Sequence, residues 1–404
     1  MNLVEVHQIH RTDKDWDDLD NLCFLAKNLY NATLYAVRQY FFQTKKYLNY
    51  NAVNKQFTDE KQVDYVALPA KVSKWIQMQV DSDFKSFFAL LHKKKSGEYD
   101  KDIKIPHYAD KVKGRKVLHY PKDALSFKKQ GYIKLSKTNI YIKTNLPKEI
   151  VRYVKVVPSG YCIKLIIGYE AEEQKLLQKS KRYASIDLGL NNLAAVTSNV
   201  MRPFIVNGKP LKSINQYANM KKAKFQSELP KKVYTSNKIN RLMLNRENKI
   251  NDYLHKASFY IVNQLVSNKI DTLVVGYNKE WKQDINIGTV NNQNFVSIPF
   301  NRFVNLLEYK CKLNGIELIR QEESYSSKCS FLDDEPIRKH SKYMGKRIKR
   351  GLYRSNSGIL INADINGSLN ILKKCLQKKV AWNSELKEDC VEACSTPNIK
   401  VVSF

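Results

Sequence analysis

The sequence contains no apolar run approaching the length of a membrane span, and Met1 to His7 lack the apolar core of a secretory signal. Neither a membrane protein nor an exported one is expected. Cysteine is sparse and unpatterned: seven residues, at 23, 162, 311, 329, 375, 390 and 394, an odd number without framework spacing. That excludes a disulfide-stapled scaffold and suits a reducing, intracellular compartment. No internal repeat or low-complexity tract interrupts the 404 residues, so solenoid and disordered architectures drop out as well. Negative charge is in short supply: 39 Asp and Glu stand against 69 Lys and Arg, a net charge of +30.

What is present is a folded, strongly basic chain. A hydrophobic content of 43%, with 24 Tyr and 16 Phe, is enough for a full core, and the length suits two or three domains. Positive charge at this level implies an acidic polymer as partner, and nucleic acid is the usual one. Neutralising roughly eight phosphates would give a log–log salt slope of about −7.

The first ten or so residues alternate like a strand through Leu3, Val4, Val6 and Ile9. A helix follows with Leu22, Leu25, Leu29, Ala32 and Ala36 at helical spacing. A second long helix is marked by Ile76, Val80, Phe84, Phe87, Phe88 and Leu91, and ends in three lysines, Ser96 and Gly97. Its aromatics read as core rather than as base-stacking groups. Between Ile103 and Tyr169 short strands alternate aliphatic and lysine residues, so that one face is buried and the other basic; this predicts a small β-barrel that tracks a sugar-phosphate backbone. From Tyr183 the order becomes α/β: strands at Ala184–Leu188, Leu193–Thr197, Thr272–Tyr277 and Ile316–Arg320. A basic helical stretch from Lys209 to Lys269, broken at Pro230, and a helix through Phe300, Phe303, Val304, Leu307 and Cys311 accompany them. The stretch after Leu376 carries no usable pattern.

Three acidic positions interrupt this basic chain at element ends: Asp187 after a buried strand, the pair Glu322-Glu323 after a later one, and Asp364 at a helix start. Each has an ordinary explanation. Asp suits turns, acids favour helix N-termini, and a Glu pair suits a solvated strand end. Together they occupy the positions that an RNase H-like fold requires for carboxylates holding hard divalent cations.

The residues also carry a resemblance. Lys209 to Tyr217, Val275 to Gln283, Asn291 to Phe300, Glu323 to Asp333, Gly345 to Leu352 and Asn362 to Gly367 make the chain similar to the transposon-encoded TnpB (OrfB) family, whose RuvC-type nuclease domain is related to type V CRISPR effectors. The N-terminal half is similar mainly in layout. The resemblance implies an α/β RNase H-like (RuvC) nuclease domain and an N-terminal β-barrel wedge domain carrying a helical recognition insertion. The implied boundaries are residues 1–12 for the first wedge strand and 13–102 for the recognition helices. They continue with 103–180 for the remaining barrel, 181–375 for the nuclease domain and 376–404 for a tail. The implied activity is RNA-guided DNA cleavage, with a noncoding guide RNA, target DNA beside a short motif, and two Mg²⁺ ions held by Asp187, Glu323 and Asp364. The implied setting is the prokaryotic cytoplasm, associated with the nucleoid, as a monomer. A nuclease-inactive RNA-guided repressor is the alternative, and a guide-free resolvase a third reading.

Two departures from the family pattern stand out. Where many relatives place a Glu at the end of the third strand, this chain has Gly276 and Tyr277, with Glu280 a turn later. In some relatives the acid has moved to the next strand, and Glu323 occupies that place. The second departure concerns zinc: relatives often carry two Cys-x-x-Cys pairs, whereas here Cys329 stands alone and Phe331 to Gly358 contains no cysteine. No zinc is therefore expected in the degenerate ribbon, residues 327–358. A basic loop takes its place, and Lys346, Arg347, Lys349 and Arg350, together with Lys282, are the expected nucleic-acid contacts. Trp75, Tyr277 and Trp281 are secondary candidates for stacking on bases, and Cys390 with Cys394 a weak candidate pair for a metal.

Overall fold

The computed structural model describes residues 1–277, 298–349, 351–376 and 400–404. Glu280, Trp281, Lys282, Arg350, Cys390 and Cys394 lie outside the described residues. The chain divides into two compact units, Met1–Ala171 and Glu172–Phe404.

The first unit opens with β1 (Asn2–His10) and then four helices: α1 (Trp16–Thr44), α2 (Tyr50–Asp59), α3 (Val63–Val66) and α4 (Ala70–Lys95). Strands β2 (Leu118–Pro121), β3 (Leu125–Ser126), β4 (Tyr132–Leu135), β5 (Tyr141–Lys143), β6 (Val151–Ser159) and β7 (Cys162–Glu170) follow. They form two separate antiparallel sheets, one ordered β1-β7-β6-β2 and one ordered β3-β4-β5. The pairing of β1 with β7, from Asn2↔Glu170 to His10↔Cys162, brings the start and end of the unit together.

The helices pack as their periodicity requires, with one shift. On α4, Val72, Ile76, Val80 and Phe84 are fully buried, and Phe84 and Phe88 lie with ring centroids 6.0 Å apart. On α1 the deepest residues are Leu19, Cys23, Ala26, Leu29, Tyr30, Leu34 and Val37, so Leu29 is buried as expected whereas Leu22, Leu25, Ala32 and Ala36 only flank the core. The α1 helix is covered on more than one side, so a single apolar stripe understates its buried face.

The second unit contains β8 (Tyr183–Leu188), β9 (Asn192–Ser198), β10 (Phe204–Asn207), α5 (Lys209–Ser227), α6 (Asn237–Ser267), β11 (Thr272–Gly276), α7 (Phe300–Lys312) and β12 (Glu317–Gln321). A small hairpin region, β13 (Lys346–Lys349), β14 (Leu352–Arg354) and β15 (Leu360–Asn362), leads into α8 (Ala363–Leu376), and β16 (Lys400–Val402) ends the chain. Six strands form one mixed sheet in the order β12-β11-β8-β9-β10-β16. Strands β8 to β10 meander antiparallel, while β11 and β12 run parallel to β8. Parallel neighbours need a crossover, and α5 with α6, and then α7, occupy the two connections.

Side-chain alternation assigns the faces of this sheet. Ala184, Ile186 and Leu188 of β8 join the core built with Leu254, Ile261 and Leu265 of α6 and Phe303 and Leu307 of α7. Ser185 and Asp187 therefore face the other way, towards α8, whose Ile365 and Leu369 pack on Ala195 and Ile205 and whose Ile371 and Leu372 pack on Val274.

Two segments differ from the sequence reading. The basic stretch expected as a loop contains β13 and β14, paired antiparallel, with β15 completing a three-stranded sheet. Residues 400–402, in the stretch expected to be a tail, add β16 parallel to β10. Both elements are too short for a periodicity signal, and β16 exists only through a partner remote in sequence. Among the described residues no helix is long and apolar enough to cross a membrane.

Candidate functional site

Asp187 is the next-to-last residue of β8 and pairs with Ala195 of β9. The parallel neighbours β11 and β12 end at Gly276 and Gln321, with Glu322 and Glu323 immediately beyond. The carboxyl ends of three adjacent parallel strands thus converge, the usual place for a site in an open α/β sheet. The α8 helix covers this end, with Asp364 in its first turn.

The motif from Asn362 to Asn370 is a polar helix start buried against a sheet, and nearly every polar side chain in it has an assigned partner. Asn362 Oδ1 accepts from the backbone N–H of Asp364 at 2.9 Å and of Ile365 at 3.3 Å, capping the helix. Asn366 accepts from Phe331 N at 3.0 Å and donates to Cys329 O at 2.8 Å. Asn370 donates to Ser326 O at 2.9 Å and Cys329 O at 2.7 Å. Ser368 Oγ lies 3.1 Å from Ser185 Oγ and 2.9 Å from Thr197 Oγ1, and those two are 2.8 Å apart. This buried hydroxyl triad locks α8 onto β8 and β9 at one rotation and height, which determines where Asp364 and Gly367 meet the sheet.

Two glycines leave room for carboxylates. A Cβ at Gly367 would lie 2.6 Å from Asp187 Oδ2, and a Cβ at Gly276 would lie 2.5 Å from Glu323 Oε2. Both distances are below any tolerated contact, so no other residue fits at either position without displacing an acid. The space beside the end of β11 that Gly276 leaves open holds the carboxylate of Glu323.

The acids sense one another. Asp187 retains some accessible surface as a residue, but its carboxylate is enclosed by protein. That desolvation, followed by the negative charges of Glu323 and Asp364, raises its pKa well above the ordinary carboxylate value, with Arg347 opposing. Asp364 Oδ2 accepts from Asn192 Nδ2 at 2.6 Å, and Arg347 Nη2 stands 3.4 Å from Asp364 Oδ1. Glu322 is engaged elsewhere: it pairs with Lys374 Nζ at 2.5 Å and accepts from Ser324 N at 2.8 Å, and these contacts, led by Lys374, hold its pKa below the usual value. Asp187 thus stands within electrostatic reach of Glu323 and Asp364, while Glu322 is turned to Lys374.

Among the described residues no three His, Cys, Asp or Glu side chains stand close enough to form a ready metal cage. The donor set nevertheless fits a hard cation. It consists of carboxylate oxygens only, it contains an acid whose charge is unfavourable as it stands, and Asp364 is oriented by an amide rather than buried in a salt-bridge network.

Of the basic residues read from the sequence, Arg347 on β13 is brought to the acids, whereas Lys346 and Lys349 stand exposed on the same strand. Cys329 is fully buried, with Sγ 3.5 Å from Pro336 O and 3.6 Å from Arg338 O. The surrounding turn is organised by the buried carboxylate of Glu335, which accepts from Ser330 N at 2.7 Å and Met344 N at 3.0 Å. Sequence reasoning missed Asn192, Gly276, Gly367 and the Ser185–Thr197–Ser368 triad. The one available signal was the density of polar residues in a helix that must be buried.

The OrfB_IS605 family, described as a probable transposase, matches residues 166–282, and the Cas12f1-like TNB domain matches residues 300–371. TnpB-like protein ORF457 of Acidianus two-tailed virus is 25% identical over 398 residues, covering 89% of this chain and 83% of that protein. Among solved structures, a Cas12f1–sgRNA–target DNA complex aligns over 91% of this chain and 98% of its own, with 14% identity and a TM-score of 0.38. The mini RNA-guided endonuclease Cas_phi3 aligns over 58% and 53%, with 12% identity and a TM-score of 0.38. Two successive family matches that contain Asp187 and then Glu323 and Asp364, and an alignment along most of a TnpB-like relative, make this chain similar to the TnpB (OrfB) family.

Proposed function

We propose that this protein is an RNA-guided DNA endonuclease with an RNase H-like (RuvC-type) nuclease domain, in which Asp187, Glu323 and Asp364 hold two Mg²⁺ ions. The observation that carries this reading is the placement of Asp187 near the end of β8 against Gly367 of α8, with Glu323 against Gly276 at the neighbouring strand end and Asp364 in the first turn of α8. In a chain of net charge +30, carboxylates gathered at one sheet end suit a hard cation. When bound, the two ions supply activation of the attacking water and neutralisation of the leaving oxygen. The chain's own residues set the geometry: β8 and the end of β12 present Asp187 and Glu323, α8 presents Asp364, and Asn192 keeps the Asp364 carboxylate from rotating. Arg347 offers a positive charge beside these acids, suited to a scissile phosphate.

Similarity to the TnpB (OrfB) family and the net charge of +30 support a guide RNA and a DNA target. In this reading residues 13–102 are the recognition insertion, 1–12 and 103–180 the wedge domain, whose strands form two separate sheets, and 181–375 the nuclease domain. Sequence selection is delegated to base pairing with the guide RNA, while the protein reads backbone geometry and a short adjacent motif. Exposed Lys346 and Lys349, with Lys282 and Arg350, contact phosphates without reading sequence.

The test is Mg²⁺-dependent cleavage of a plasmid carrying a guide-matched target beside a randomised flank, by protein purified with RNA from its own locus. Guide-dependent cutting, lost in Asp187→Ala and Asp364→Ala with RNA binding retained, is expected. Guide-dependent binding without cutting would assign the protein to a repressor role, and cutting without RNA to a resolvase.

A further inference from the structure

The loop that runs from Ser330 towards β13 is closed by a carboxylate that the proposed chemistry does not use. Glu335 is 2% exposed, and its two oxygens are divided between the two ends of the loop. Oε2 accepts from Ser330 N at 2.7 Å, and Oε1 accepts from Met344 N at 3.0 Å. A carboxylate has an acceptor at each oxygen, so it can join two backbone donors that approach from opposite ends. A carboxamide has one acceptor and would turn its own N–H groups towards the other donor. A carboxylate is tolerated in such a place because hydrogen bonds compensate its burial. His340 Nε2 stands farther off, 3.9 Å from Oε1, and lies 2.7 Å from Pro336 O.

The clasp is tied to α8. Lys373 Nζ donates to Glu335 O at 3.0 Å and pairs with Asp334 Oδ1 at 2.7 Å. Just before the loop, Asn366 and Asn370 of the same helix donate to Cys329 O at 2.8 and 2.7 Å. From Met344 the chain enters β13 within two residues, and there it is held again. Tyr353 is buried and donates to Lys328 O at 2.9 Å, and a Cβ on Gly345 would lie 2.5 Å from the Tyr353 hydroxyl. Across the ladder from Tyr353 stands Arg347, beside a shift of register between Arg347 and Lys349. Irregularities of this kind re-aim a side chain. Arg347 Nη2 comes within 3.4 Å of Asp364 Oδ1, so α8 carries the acid directly and fixes the arginine through the loop.

We infer that Glu335 is a positioning residue for the cation site: by clasping Ser330 to Met344 it seats β13 and holds the Arg347 guanidinium against Asp364. The placement has two opposite consequences. A positive charge beside Asp364 opposes the arrival of a divalent ion. The same charge is suited to a phosphate once substrate is in place. Loss of the clasp should therefore tighten cation binding while slowing cutting. A merely loosened fold does not give that combination, because disorder among the ligands weakens both. The inference rests on the proposed reading of Asp187, Glu323 and Asp364 as a cation site, and adds to it a residue that acts through Arg347.

The experiment titrates Mn²⁺ alone into the full chain stripped of nucleic acid, for wild type, Glu335→Gln, Arg347→Ala and the double variant. Arg347→Ala is expected to bind Mn²⁺ about fivefold more tightly, the scale of one partly screened unit charge a few ångström away. Glu335→Gln should tighten binding by up to the same factor, and should add nothing in the Arg347→Ala background. Single-turnover cleavage of a guide-matched duplex should fall in Glu335→Gln, with no further fall where Arg347 is already gone. Mn²⁺ binding that is unchanged or weaker in Glu335→Gln, or a tightening that persists without Arg347, would overturn the inference. Glutamine matches glutamate in volume. Should that variant fold poorly, Glu335→Asp, with both acceptors but one carbon less reach, takes its place under the same outcomes. A wild type that binds no Mn²⁺ removes the proposed cation site, and amide exchange then decides the positioning. Faster exchange across residues 344–349 in Glu335→Gln, with α8 unchanged, upholds the seating of β13, and unchanged exchange there overturns it.

Discussion

The Glu323 carboxylate sits 2.5 Å from where a Cβ on Gly276 would be, so the end of one strand has given up a side chain to the acid that follows its neighbour. Exchange at this pair is directly measurable. Gly276→Ala would force Glu323 or Ile371 aside, and cleavage should fall by at least the ~10²-fold that an ångström-scale misplacement of a reacting group produces. Glu323→Ala should abolish cutting, while Glu322→Ala, which removes contacts with Lys374 and Ser324 only, should cut within a few-fold of wild type. Single-turnover cleavage of a guide-matched duplex gives all three values. Loss in Glu322→Ala and retention in Glu323→Ala would reverse the assignment.

Asp187 carries a stability signature. Its folded pKa is raised above the ordinary value near 3.8, so the folded state holds its proton more tightly than the unfolded one. The contribution of this group therefore declines as pH rises from the unfolded pKa to the folded one, and its cost is greatest once it is ionised. Asp187→Asn should melt higher than wild type at neutral pH in EDTA, by about 2–4 °C for each ~1 kcal/mol relieved in a domain of this size. Added Mg²⁺ or Mn²⁺ should raise the wild-type melting temperature and move the variant much less. Calorimetry with and without metal decides it, and a variant that melts lower in EDTA would show that the carboxylate is structural.

Arg347 favours the ionised form of Asp187 and touches Asp364. Removing its charge raises the Asp187 pKa further, so the acid limb of the pH–cleavage profile should move to higher pH in Arg347→Ala. Lys346→Ala, on the same strand but exposed, should leave the limb in place and lower only salt-sensitive affinity. Profiles under saturating target separate the two effects.

The hydroxyl triad predicts an order of stabilities. Ser185 Oγ also donates to Ser368 O at 2.7 Å, a shorter bond than the reciprocal one from Ser368 Oγ to Ser185 O at 3.1 Å, so Ser185→Ala loses the stronger of the two backbone bonds along with the triad contacts. Ser368→Ala leaves Ser185 and Thr197 2.8 Å apart and able to serve each other. The first should cost roughly 2 kcal/mol and the second about 1 kcal/mol, and the double variant should cost less than their sum because the sites share partners. Chemical denaturation measures all three.

Much of this was written along the chain. The aliphatic and aromatic spacing of α4, the short runs of β8, β9 and β11, the net charge, and the capping residue two positions before Asp364 are local features. Local physics is enough to produce them: burial of one helix face, alternation about a strand, and an Asn that satisfies exposed helix N–H groups. The separation of the two adjacent glutamates was not local. Only the docking of α8, which carries Lys374 to Glu322, decided that Glu323 and not Glu322 faces Asp187. The same holds for Asn192 and Asp364, 172 residues apart, and for two glycines whose vacancy has meaning only once a carboxylate from elsewhere fills it. Charge and periodicity determined that the chain folds, carries a large positive charge and keeps acids at element ends. Which acids meet, and what holds them apart, was decided by packing between segments whose contact no local pattern records.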